Sequence, residues 1–202
     1  MKFYIMYAET CVEEYIKLSD SLKERLFSGC LNSEFQYLDH LLLESEVSED
    51  GGMEFPDFLI SGCIPLVSER CKRIFDSLHI DNLFYKPINL TFKEFGIKES
   101  YWLALPPRIN CLNWDKCDVA VENNEFLSAE EQMQEVMHIS INSATVGNYK
   151  IFKLAHVVNQ EIIVTEEVKH AVEHENLKNV YFKDVEGENA SGIDNGNFKT
   201  DF

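Results

Sequence analysis

Two stretches of the chain, 97 positions apart, set out apolar and polar residues in the same order. Residues 67–88 read VSERCKRIFDSLHIDNLFYKPI and residues 164–185 read VTEEVKHAVEHENLKNVYFKDV, aligned over 22 residues without a gap. Each opens on a short apolar run, Ile64 and Leu66–Val67 or Ile162–Ile163–Val164, suited to a buried strand. Ser68 and Thr165 stand where a side-chain oxygen can cap a helix, and Glu69, Glu166 and Glu167 put negative charge in its first turn. Neither helix carries the Glu or Gln that would complete a capping box. Cys71, Ile74, Phe75 and Leu78 mark one helix face, and Val168, Ala171 and Val172 mark the other. The pairs Val67/Val164, Glu69/Glu166, Lys72/Lys169, Asn82/Asn179 and Lys86/Lys183 are identical, and Phe84/Tyr181 and Ile88/Val185 keep their character. The pattern predicts two related strand–helix–strand units in an α+β fold with a mixed sheet.

Elsewhere the pattern is read locally. Residues 2–7 predict a strand, followed by a helix opened at Glu9 or Thr10, with Val12, Tyr15, Ile16, Leu18 and Leu22 on one side, ending near Gly29. Residues 34–43 fit strand and helix equally. Residues 45–57 read as an acidic loop in which Gly51–Gly52 and Pro56 disfavour regular structure. Residues 58–60 predict a strand leading into the first unit, and residues 89–100 a loop. Residues 101–105 read as a strand stopped by Pro106–Pro107, and residues 109–118 show no period. Short strands are expected at 119–122 and 136–141, a capping-box helix at 129–134 opened by Ser128 with Glu131, and a further strand at 149–158. One domain is expected over 1–185, with a polar tail at 186–202.

Charge sharpens this picture. The chain carries 35 acids against 18 bases, a net charge of -17. No Lys or Arg lies between Arg25 and Arg70 or between Lys116 and Lys150, and these two gaps hold nearly all of the excess. Concentrated negative charge disfavours nucleic acid and anionic membranes as partners and speeds encounter with a basic protein, by ~10–1000-fold at low salt. The competing reading is a solvated acidic surface with no partner. The candidate partner-binding residues are Glu44, Glu46, Glu49, Asp50 and Glu54 in the first gap and Glu122, Glu125, Glu130 and Glu131 in the second. Trp114, between Asn113 and Asp115, is a candidate aromatic anchor, whereas Trp102 sits in a strand and is expected in the core. No apolar run has the length of a membrane span, and residues 1–11 lack signal-peptide character. A cytoplasmic protein with six reduced cysteines is the expectation.

Four clusters resemble a known family. They are Pro56–Asp57–Phe58–Leu59; Pro65–Leu66–Val67–Ser68–Glu69 with its helix and Phe84 to Ile88; Tyr101–Trp102–Leu103 with Ile109 to Lys116; and Ile151–Phe152–Lys153–Leu154 with Ile163 to Val185. In order and spacing they resemble the eleventh, myxobacterial-type family of immunity proteins from bacterial polymorphic toxin systems. The resemblance runs over residues 55–185; residues 8–52 have no counterpart in it, and Pro106–Pro107 interrupt a strand the family continues. It implies a non-enzymatic cytoplasmic antidote, without cofactor, in an effector–immunity pair whose partner is a cognate toxin or effector protein. Oligomeric state is not implied.

Two other function classes stay open. His170, Glu173 and His174 match H-x-x-E-H, which would make a zinc-dependent hydrolase, although the aligned positions of the first unit are Arg73, Asp76 and Ser77. A non-inhibitory adaptor or chaperone for an effector is the third class. Cys111 and Cys117 lack zinc-finger spacing, and Cys71 and Cys111 read as small buried hydrophobes.

Overall fold

The computed structural model describes residues 1–20, 24, 44–48, 50–61, 63–120, 135–157 and 160–186. Its strands are β1 Phe3–Tyr7, β2 Glu44–Glu46, β3 Phe58–Ser61, β4 Ile64–Ser68, β5 Phe84–Phe92, β6 Ile97–Leu105, β7 Arg108–Ile109, β8 Asp118–Ala120, β9 Glu135–His138, β10 Ile151–Leu154, β11 Ile162–Thr165 and β12 Tyr181–Asp184. The helices are α1 Glu69–Ser77, α2 Ser143–Val146 and α3 Glu166–His174. One five-stranded sheet has the order β12-β1-β11-β10-β7, the other β2-β5-β6-β4-β3, and β8 pairs with β9 alone. Each large sheet is antiparallel except for one parallel edge pair, β10 with β7 and β5 with β2. The fold is α+β with mixed sheets, and its strands form two large sheets where one mixed sheet was expected.

Both expected strand–helix–strand units are present, β4–α1–β5 and β11–α3–β12. Their likeness extends to a strand outside the aligned stretch. In the first unit β6 lies between β4 and β5; in the second, β1 lies between β11 and β12. Val67 faces Trp102, which faces Pro87, while Val164 faces Tyr4, which faces Asp184. Pro87 and Asp184 are themselves 97 positions apart, so β1 occupies in the second unit the place of β6 in the first, in the same register. His79 and Asn176, equivalent positions just after the helices, both adopt left-handed backbone (φ 55° and 50°).

Three apolar clusters follow from this layout. The central one holds the inner faces of both helices, with Cys71, Phe75, Val168 and Val172, and residues of both sheets, such as Met6, Val67 and Val164. A second covers the other face of the second sheet, where Tyr101, Leu103 and Leu105 meet Ile16, Leu18 and Val47. The third covers the other face of the first sheet, around Phe3, Phe152 and Ile163. Alternation along β1 decides the division: Tyr4 and Met6 belong to the central cluster, Phe3 and Ile5 to the third.

The structure corrects several local expectations. Residues 9–19 are not helical, although Asp20 and Glu24 are and the rest of the expected helix to Gly29 lies outside the described residues; Tyr15 bridges Glu54, Leu18 bridges Val47, and Ile16 and Leu18 are buried on either side of exposed Lys17. The apolar spacing there satisfied a helical period, but backbone pairing with residues 47–54 makes the segment extended. The acidic loop starts as strand β2. Residues 89–100 form the long β5–β6 hairpin and not a loop, the turn being confined to Lys93–Phe95 and Gly96, whose left-handed φ of 65° suits a residue without Cβ. Ser68 caps α1 as expected, its Oγ accepting from the Cys71 N–H at 3.1 Å. Thr165 makes no side-chain cap, and its Oγ1 is buried without a hydrogen-bond partner. Beyond these, β6 ends at Leu105 before the prolines, and β8, β9 and β10 fall within or overlap their expected ranges. The expected elements at 34–43 and 129–134 and the tail from 187 lie outside the described residues.

Candidate interaction surface

The first acidic loop is held against an earlier segment through the backbone. The N–H of Gly52 donates to Tyr15 O at 2.8 Å, that of Glu54 to Glu14 O at 2.9 Å, that of Ile16 to Glu54 O at 3.0 Å and that of Ser48 to Lys17 O at 2.9 Å. The two glycines permit this approach: a Cβ on Gly52 would overlap the Glu13 and Glu14 carbonyls, and one on Gly51 the Lys17 amide. The result is an acidic ridge. Exposed Asp50 and half-buried Glu54 are joined by exposed Glu13 and Glu14, acids from outside the long base-free gap.

The ridge is partly neutralised from within. Lys178 Nζ pairs with Glu54, and that hydrogen bond raises the ammonium's pKa. Lys93 Nζ pairs with Glu46. These contacts lie on solvent-exposed side chains, where an ion pair exchanges readily with a competing cation. Glu44 lies on β2, but its side chain falls outside the described residues, as do Glu49, Glu122, Glu125, Glu130 and Glu131 altogether.

Several aromatic side chains reach the surface. Tyr7 and Tyr181, opposite one another on β1 and β12, are 39% and 37% exposed with ring centroids 5.7 Å apart. The Tyr15 phenol is within electrostatic reach of Glu54, Tyr181 and Lys178; burial raises its pKa first, and the Glu54 carboxylate adds to that. Trp114, on a 3₁₀ turn, is 36% exposed. Trp102 is half-buried: it packs on the central cluster while its Nε1–H donates to Glu69 Oε2 at 2.7 Å. The tyrosines were missed in the sequence because each looks like an ordinary strand residue. The available signal was Tyr181 aligned with Phe84 in the repeat.

Each helix carries the same polar arrangement. Lys72 Nζ lies over the Tyr85 and Trp102 rings at 4.6 and 5.2 Å, and Lys169 Nζ over the Tyr4 and Phe182 rings at 5.1 and 6.0 Å. Lys72 pairs with Asp76 at 2.6 Å and Lys169 with Glu173 at 2.8 Å. Trp102 donates to Glu69, and Tyr4 Oη donates to Glu166 at 3.5 Å. Glu173 of the H-x-x-E-H stretch is thus the counterpart of Asp76 and is held by Lys169. His170 and His174 are exposed, and no cluster of three or more His, Cys, Asp or Glu suited to a metal ion occurs among the described residues. Burial raises the pKa of the Cys71 thiol strongly and pushes that of Cys111 up to about 12, as expected of buried apolar cysteines and not of nucleophiles. Among the described residues no helix is long and apolar enough to cross a membrane.

The model of an immunity protein family, Imm11, matches residues 16–187 of the chain, and the chain belongs to this family. The match begins well before Phe55 and takes in the acidic loop and the segment paired with it, which the sequence resemblance had left without a counterpart. No curated protein matches the chain.

Proposed function

We propose that this Imm11 immunity protein, as one domain over residues 1–185, binds a cognate toxin in the cytoplasm and covers its active surface, performing no bond chemistry itself. The observation that carries the reading is the family match across residues 16–187, which implies toxin neutralisation in general. Charge supports the finer statement. With a net charge of -17 and a ridge on which Glu13, Glu14, Asp50 and Glu54 gather, the surface suits a basic partner. The second-gap acids and Trp114 are assigned to the same partner from sequence. An interface of ~1600 Å² with a few desolvated anchors is enough for nanomolar binding.

Co-expression with the product of the adjacent gene tests this: wild-type protein restores growth of cells making that product and co-purifies with it. Reversal of Asp50 and Glu54 to lysine is expected to slow association about tenfold or more at low salt and to flatten its salt dependence. Association rates that ignore both the reversal and the salt would reject the acidic ridge as the docking face.

A further inference from the structure

The repeat shows where the molecule leaves a normally covered position open. Leu105 and Phe84 face each other on β6 and β5, and Tyr7 and Tyr181 face each other at the equivalent place on β1 and β12. The first pair is interior: Leu105 is 1% exposed, Phe84 is half-buried, and both belong to the cluster closed by Ile16, Leu18 and Val47 from the chain's own earlier segments. The third cluster covers the corresponding face of the first sheet around Phe3 and Ile5 but, among the described residues, stops short of Tyr7. One sheet face is therefore roofed by the chain itself, whereas among the described residues the other ends in two exposed phenols.

We propose that the Tyr7–Tyr181 pair is the aromatic anchor of the toxin interface, and that an arginine-bearing segment of the toxin packs over it. Three observations select that occupant. The two rings are exposed, 5.7 Å apart and tilted 32° to each other, an aromatic pair on which a guanidinium can pack. Tyr15 lies within electrostatic reach of Tyr181 and also of Glu54, Glu14 and Lys178, so the pair borders the acidic ridge and the lysine paired with Glu54. Lysines already lie over aromatic rings twice in the molecule, over Tyr85 and Trp102 and over Tyr4 and Phe182, each with an acid as second partner. Tyrosine is also a side chain favoured at the energetic centre of interfaces, where it buries a large rigid surface and keeps a hydroxyl for bonding.

The inference rests on the proposed function, and its test separates the two. The product of the adjacent gene is titrated against wild-type protein and against Tyr7→Ser and Tyr181→Ser, with thermal unfolding recorded for each. Binding of the variants is expected to weaken about 10- to 100-fold, through faster dissociation, with the salt slope kept. Because Tyr7→Ser can disturb β1, the wild-type complex is also treated with tetranitromethane; bound toxin should shield Tyr7 and Tyr181 from nitration. A wild type that binds while the variants bind within twofold, or phenols nitrated equally in the complex, overturns the anchor alone. Shielding that instead follows protein concentration without toxin assigns the patch to a second copy and also overturns it. A wild type that neither binds nor rescues overturns the proposed function and the anchor with it.

Discussion

The two strand–helix–strand units keep the same contacts while exchanging the residues that make them. Arg70 pairs with Asp57 at 3.5 Å at the start of α1; at the equivalent positions Glu167 pairs with Lys150 at 2.9 Å, with the charges reversed. In both, the cation reaches across to the end of the other unit's helix: Arg70 donates to Glu175 O after α3, and Lys150 donates to Leu78 O after α1. Each helix thus has a last-turn carbonyl, an acceptor without an intrahelical partner, satisfied by its neighbour. The asparagines cross over in the same way. Asn82 donates to Ile151 O beside the second unit, and Asn179 donates to Phe58 O beside the first. The difference teaches that the slot is set by backbone geometry, since either sign of pair fills it, and that the units are locked to each other. Where the units do diverge, at Leu105 with Phe84 against Tyr7 with Tyr181, the change is from covered to open.

The largest expected contrast is in the helices' contribution to the central core. Phe75 and Val172 are equivalent and almost fully buried. Phe75→Ala should cost about 3–5 kcal/mol and Val172→Ala about 1.5–3 kcal/mol, read from urea midpoints at constant slope. Equal losses would mean that the first helix does not carry the larger share.

The asparagines should differ next. Asn179 is buried, left-handed at φ 62°, and bonded to both the N–H and the C=O of Glu9 as well as to Phe58 O. Asn82 makes one such bond, at 2.9 Å. Asn179→Ala is expected to cost about 2–4 kcal/mol, from lost hydrogen bonds and an unfavourable backbone. Asn82→Ala should cost about 1 kcal/mol. Asn179→Gly should recover the backbone part; if it is as damaging as alanine, the left-handed conformation contributes little.

The smallest effect is electrostatic. The indole N–H of Trp102 holds the Glu69 carboxyl below its ordinary pKa, with Arg73 helping. A depressed carboxyl favours the folded state above its unfolded pKa, and that contribution disappears as pH falls through the folded one. Trp102 fluorescence, followed in a Trp114→Phe background, should therefore change at a pH below the usual glutamate range, and Glu69→Gln should abolish the step. A midpoint at or above the ordinary glutamate value would show that the bond does not form in solution.

Much of this molecule was legible because it is local. The helix faces could be read from Cys71, Ile74 and Phe75 and from Val168 and Val172, since a 3.6-residue period shows in any window longer than two turns. The α1 cap could be read from Ser68. The β5–β6 hairpin could not, because Asn89 and Thr91 look like loop residues until Ser100 and Lys98 lie opposite them. The candidate site was legible only as composition: the acids of residues 44–54 were visible, but Glu13 and Glu14 join them only because the Glu14 and Tyr15 carbonyls accept from the Glu54 and Gly52 N–H groups.

By itself, then, the sequence determined the two units, their helices and where the negative charge is concentrated, all properties of neighbours along the chain. Tertiary structure alone decided that β1 completes the second unit, that residues 14–18 pair with the acidic loop, and that Tyr7 meets Tyr181. The reason is physical. Those pairings join segments far apart in sequence, and their selection depends on burying one sheet face while satisfying every backbone N–H and C=O, a condition that no single segment encodes.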